Sequence, residues 1–166
     1  MGFELKKLPL SSLDAAIAKA EHYRDLNQPE EAESICRDIL DLDGANPRAW
    51  KLLGLALTDR FASGQVGLHE QAIEAFERLP DPYDRTYHLG VAWERAAKAH
   101  TERGEAHSAV TSFEHALDLF ETAEKMRPDS PDPVLRWNRC VRLLTGHPLL
   151  RAAMASPRED NVLLGD

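Results

Sequence analysis

The chain has 166 residues, so one compact domain or one short repeat array is expected rather than two catalytic domains. With 43% hydrophobic and 29% charged residues it can bury about 70% of its unfolded surface, which excludes disorder throughout. Twenty Lys and Arg against 28 Asp and Glu leave a net charge of −8, which argues against a broad phosphate-binding surface, and so against nucleic acid, while permitting a local basic patch.

Apolar residues recur three and four apart along almost the whole chain, and no stretch of four to eight residues alternates like a strand, so the expected fold is all-α. Residues 1–10 read as an N-terminal segment preceding a helical domain over 11–145. The first helix opens at Ser11 or Ser12, where Ser11 and Asp14 resemble a capping box, and runs to about Leu26 before Asn27 and Gln28 break it. Pro29 in a first-turn position, followed by Glu30 and Glu31, starts a second helix to about Leu42. Asn46 caps a third that begins at Pro47 and ends near Ala62, with 63–67 as a flexible connection. A fourth covers about 68–79. Asp81 and Pro82 repeat the cap-then-proline signal for a long fifth helix over about 82–103, closed by Gly104 as a left-handed cap. A sixth over 105–126 is similar in length, and a seventh follows Pro131 and ends before Gly146. After Pro148 the pattern fades. Residues 146–166 are expected to be a tail, partly ordered or mobile, whose Val162, Leu163 and Leu164 could dock in an apolar groove of this or a neighbouring copy.

No run approaches about 18 consecutive apolar residues, and the opening Met1-Gly2-Phe3-Glu4-Leu5-Lys6-Lys7 lacks the order of a signal peptide, so no membrane partner and a cytoplasmic address are expected. Cys36 and Cys140 lie far apart inside helical patterns with no CxxC pair, and read as reduced core residues.

The segments repeat. Trp50, Leu53, Gly54 and Leu57, followed by Ala72 and Phe76, resemble the tetratricopeptide pattern W-x2-L-G-x2-Y then A-x3-F, with Leu57 replacing Tyr. The unit before it offers Ala20, Tyr23, Ala32 and Cys36, with Gly44 where the terminal proline would fall. The unit after it fits two registers. One is Trp93, Ala96, Ala97, His100 with Ala109 and Phe113; the other, seven residues out on each helix, is Leu89, Gly90 and Trp93 with Ala116, Phe120 and Pro128. Seven residues is close to two turns, so both registers face one side of a long hairpin. The separation of small residues is 12 from Ala20 to Ala32 and 18 from Gly54 to Ala72, which marks 63–67 as a lengthened loop.

The resemblance covers roughly residues 13–143. It implies antiparallel hairpins stacked as a short right-handed solenoid, two of near-standard size, one elongated, and a capping helix carrying Trp137. It also implies a protein-interaction module, adaptor or scaffold, gripping a protein or peptide partner in the groove lined by the first helix of each hairpin. Carried over residue by residue, the groove positions are Asp14, Ile17, Glu21 and Arg24, then Arg48, Lys51, Leu55 and Thr58. The third unit supplies Asp84, Tyr87, Val91 and Glu94, extended by Lys98 and Thr101, and the cap helix supplies Asp132, Leu135, Arg139 and Arg142. The strongest candidates for partner contact are Arg48, Lys51, Leu55, Tyr87, Val91, Arg139 and Arg142. Members that clamp a chaperone's C-terminal carboxylate use a Lys, two Asn and a further Lys and Arg; here Ile17, Glu21, Leu52 and Val91 stand at the first four positions and only Arg95 matches, so such peptides are not expected.

Arg136, Arg139 and Arg142 form a basic stripe, and 134–151 contains four Arg and no acid. Either it pairs internally with the acidic sixth helix at Glu114, Asp118 and Glu121, which the usual fate of surface charge favours, or it meets an acidic peptide or phosphate. His100, His107 and His115 lie seven and eight apart, which is not the three-or-four spacing of a metal helix, so no metal is expected. His88, beside Gly90, reads as a packed or groove-lining ring. No GxSxG, GxxxxGK[ST] or GxGxxG motif occurs, and the expectation is neither catalysis nor a cofactor. The competing reading is a self-associating structural protein that uses the long hairpin over 82–126 as an interface between copies.

Overall fold

The structure of the protein is a computed structural model that describes residues 2–156, and every regular element among them is helical. In chain order these are α1 (Leu13–Asp25), α2 (Pro29–Leu42), α3 (Pro47–Thr58), α4 (Leu68–Glu77), α5 (Pro82–Glu102), α6 (Ala106–Met126), α7 (Asp132–Gly146) and α8 (Pro148–Ala155), with 3-10 turns at Leu10–Ser12 and Phe61–Ser63. Proline stands in the first turn of five of them, α2, α3, α5, α7 and α8, where its missing N–H costs nothing and its fixed φ suits a helix start. Asn46 Oδ1 accepts from the Ala49 N–H at 3.0 Å and Asp81 Oδ2 from the Asp84 N–H at 2.9 Å, so α3 and α5 carry the expected side-chain caps.

Three expectations are corrected. The capping box at α1 does not form: the chain turns through Leu10–Ser12, the Ser12 N–H donates to the Pro9 carbonyl at 2.9 Å, and no side chain caps the helix. Helix α3 stops at Thr58, short of Ala62, and the connection continues as a 3-10 turn before Gly64 and Gly67 at φ +73° and +88°. An eighth helix also follows Pro148. It has only eight residues, too few to hold a helix alone in water, and exists by packing on α6 and α7 with Leu150 and Ala153 buried. The tail contacts expected of Val162, Leu163 and Leu164 lie outside the described residues.

Each helix packs against the next, and α1 against α3 and α3 against α5 as well. The repeat's small-residue positions have a direct structural cause. A Cβ on Gly54 would overlap the Phe76 ring, and one on Gly90 would lie 2.7 Å from Phe120 Cε1, so each glycine is a recess for a phenylalanine of the next helix. Seven residues further along the long pair, Ala97 and Phe113 occupy the same apolar cluster, so both registers of the long hairpin are packed. Gly104, at φ +75°, makes the tight joint between α5 and α6.

Candidate functional site

Helix α5 turns a charged strip towards α3 and α7, and a buried carboxylate lies at its centre. Glu94 is 0% exposed. Its Oε2 accepts from Arg136 Nη1 at 2.7 Å, and Arg136 Nε donates to the Tyr87 hydroxyl at 3.2 Å, so one guanidinium joins two positions of α5 to α7. The other oxygen, Oε1, makes no hydrogen bond but lies 3.5 Å from Lys98 Nζ and 3.9 Å from Arg139 Nε. A carboxylate leaves water only where cations compensate it, and here three share one charge.

Beside it, Asp59 at the end of α3 is shared in the same way, its α5 partner being Arg95, the residue after Glu94. It accepts from Arg24 Nε of α1 at 2.7 Å and from Arg95 of α5, whose Nη1 also donates to Thr58 Oγ1 at 3.1 Å. Thr58, Asp59 and Arg95 line a cleft of about 400 Å³ whose walls also include Lys98, Arg136 and Arg139. Arg136 and Arg139 form its border with a second cleft of about 710 Å³, walled by Tyr87, Asp132, Leu135, Arg142 and Leu143. Across the walls of both clefts, the cations Arg95, Lys98, Arg136, Arg139 and Arg142 face the carboxylates Asp59, Glu102 and Asp132. The surface is therefore positive on a chain whose net charge is −8. Burial pushes the Lys98 ammonium below its ordinary pKa; Glu94 opposes that, while Arg139, Arg136 and Arg95 add to it. Burial also acts to lower Arg136, but Glu94 and the Tyr87 hydroxyl outweigh it and hold the guanidinium charged.

The predicted partner-contact residues divide into four groups. Tyr87, Arg139 and Arg142 meet in this region, with the Arg139 side chain 64% exposed and Leu135, 63% exposed, beside them. Lys51 and Arg48 have their charges engaged elsewhere: Lys51 Nζ lies 2.5 Å from Asp84 Oδ2, and Arg48 pairs with Glu21 at 3.1 Å in an exposed contact of small energetic value. Leu55 is half-buried against Phe76 and Ala92. Val91 is corrected. At 1% exposure it belongs to the core with Phe113 and Phe120, because the same helix face that carries the groove positions dips into the α5–α6 interface there. Ile17, at 2% exposure, is likewise core rather than groove.

Sequence reasoning placed the basic stripe on α7 but gave its internal pairing to α6; the carboxylate that receives Arg136 is Glu94 of α5. Asp59 was missed, and only its position one residue past the groove residue Thr58 signals it. His88 is a packed ring, with its Nδ1 2.7 Å from the Asp84 carbonyl and the ring tilted against Phe76 and edge-to-face with Tyr87. His100 meets Glu105, and His115 lies over Trp93 with centroids 4.5 Å apart. Among the described residues no three His, Cys, Asp or Glu side chains converge as metal ligands, and no helix is long and apolar enough to cross a membrane. Burial pushes the Cys36 and Cys140 thiols up to about 12, which leaves both unreactive near neutral pH. Compared with known proteins, the chain matches no family model and no curated protein.

Proposed function

We propose that this chain is a protein-interaction module, a short right-handed stack of tetratricopeptide-like hairpins, that binds an acidic segment of a partner protein along the face formed by α3, α5 and α7. The observation that carries the reading is the cationic cleft around Glu94. Arg139 and Arg142 stand outermost on α7, beside the exposed apolar side chain of Leu135 and the half-buried Leu143. That pairing suits a segment with two carboxylates flanking a leucine-like side chain, since guanidinium takes carboxylate bidentately and the apolar wall takes the rest. The pairs Gly54 with Phe76 and Gly90 with Phe120 support the repeat reading, because they put the pattern's small and large residues in contact. The reading assigns the chain no catalysis and no cofactor, and a cytoplasmic place of action. Self-association through 82–126 has less to recommend it: among the described residues of that hairpin, Met126 is the one exposed large apolar side chain.

An array of immobilised peptides graded in Asp, Glu and Leu content, probed with labelled wild type and with an Arg139→Glu, Arg142→Glu variant, tests the reading. Signal should rise with acidic content, rise further where leucine lies between acids, and vanish in the variant. A signal indifferent to peptide charge, or unchanged in the variant, would overturn it.

A further inference from the structure

The most solvated large apolar side chains of the described residues are not on the cleft but at the opposite end of the chain. Residues 2–9 form an arm without helix that reaches α1 through Pro9, itself extended at φ −64° and ψ 140°. On this arm Phe3 is 107% exposed and Leu5 is 95% exposed. Leu8, by contrast, is half-buried against the cluster that contains Ile17, Ala20, Cys36 and Ile39, as are Leu13, Ala16 and Ile35. Leu8 is thus turned to the chain's own core, while the near-complete exposure of Phe3 and Leu5 places both side chains away from it.

Beside the arm lies a groove of about 270 Å³ on the outer face of α1 and α2, lined by Leu8, Ala15, Ala16, Lys19, Ile35 and Asp38. Its surface is mostly apolar, with Lys19 and Asp38 as its charged members. The arm carries the complementary charges, Glu4 and the pair Lys6 and Lys7, next to Phe3 and Leu5. Arm and groove thus sit at the same end of one chain, the arm's apolar side chains pointing out and the groove open.

We propose that two copies of this chain associate about a two-fold axis at this end, each laying Phe3 and Leu5 into the other's α1–α2 groove. A two-fold arrangement satisfies both arms and both grooves at once, whereas a head-to-tail contact leaves one of each unfilled and continues into a chain of copies. Phe3 brings about 150–250 Å² of surface, so two arms and the walls they cover bury on the order of 1,000 Å². That is the lower edge of specific interfaces and gives a dimer that dissociates on dilution. The association is independent of the cationic cleft, which α3, α5 and α7 form.

Light scattering coupled to size exclusion, with the full chain loaded at roughly 1–500 µM to span the dissociation of a weak dimer, tests the proposal. The mass should climb from 18.6 kDa towards twice that value and level there. A Phe3→Asp, Leu5→Asp variant should remain at the monomer mass throughout. An Ala15→Arg variant, which blocks the groove from an exposed position, should do the same, both with unchanged circular dichroism. A wild type that stays monomeric, a mass that grows past two copies, or a dimer that survives Ala15→Arg would each overturn the proposal.

Discussion

Helix α5 carries two kinds of packing about one turn apart. At Gly90 it meets α6 by shape alone: the Phe120 ring fills the place of a missing side chain, and a single methyl group would collide with it. At Glu94 it meets α7 chiefly by charge, through a buried carboxylate shared by Arg136 and Arg139 of α7 and Lys98 of α5 itself. The first contact is complete, and nothing remains to be bound there. The second has cations to spare, and the surplus faces an open cleft. A saturated core contact and a charged surface with unsaturated cations can therefore share one helix.

The largest expected effect breaks the shape side of this contrast. Phe120→Ala should lower the free energy of unfolding by about 3–5 kcal/mol in urea titrations, since Gly90 cannot relax into the void. A loss below about 1 kcal/mol would mean that the ring is not the close-packed element described. The charge side responds differently. Glu94→Gln keeps the shape but removes the shared charge, and should cost about 1–3 kcal/mol because Arg136 and Lys98 are only part-buried and Arg139 is exposed. The same change should tighten binding of an acidic peptide, since it leaves more positive charge facing the cleft; a variant that is both less stable and weaker in binding would contradict the division of roles.

A smaller effect concerns pH. Burial holds His88 below the ordinary histidine pKa of 6.5, its bond to the Asp84 carbonyl opposing and Lys51 and Arg136 adding, and burial likewise lowers His69. The folded chain therefore binds fewer protons than the unfolded one between these lowered values and 6.5. Their stabilising contribution is whole above pH 6.5 and declines as pH falls below it. Urea midpoints at pH 8 and at about pH 5.5 should show that decline, and His88→Gln should shrink it; equal midpoints in the wild type would count against the buried neutral rings.

Most of the helix boundaries were legible because they rest on local chemistry. Pro29, Pro47 and Pro82 mark starts that need no tertiary information, and Asn46 and Asp81 cap their own helices. Helix α8 was not legible, because its eight residues are helical only by virtue of α6 and α7 beneath them. The site was half legible. Helical spacing shows that Arg136 and Arg139 project from α7 on neighbouring positions, but pairing across helices depends on which turn of α5 comes opposite, and periodicity does not give that. For the same reason Val91 and Glu94, three residues apart, read alike as groove positions, while one is a core side chain and the other a buried charge.

The central claim is that the cations around Glu94 bind acidic segments. Calorimetric titration of one acidic, leucine-containing peptide into the wild type and into the Arg139→Glu, Arg142→Glu variant, each at low and high salt, tests it most directly. The account predicts wild-type binding that weakens by about tenfold or more as salt rises, and none in the variant. Binding that ignores salt and survives the double charge reversal would contradict it.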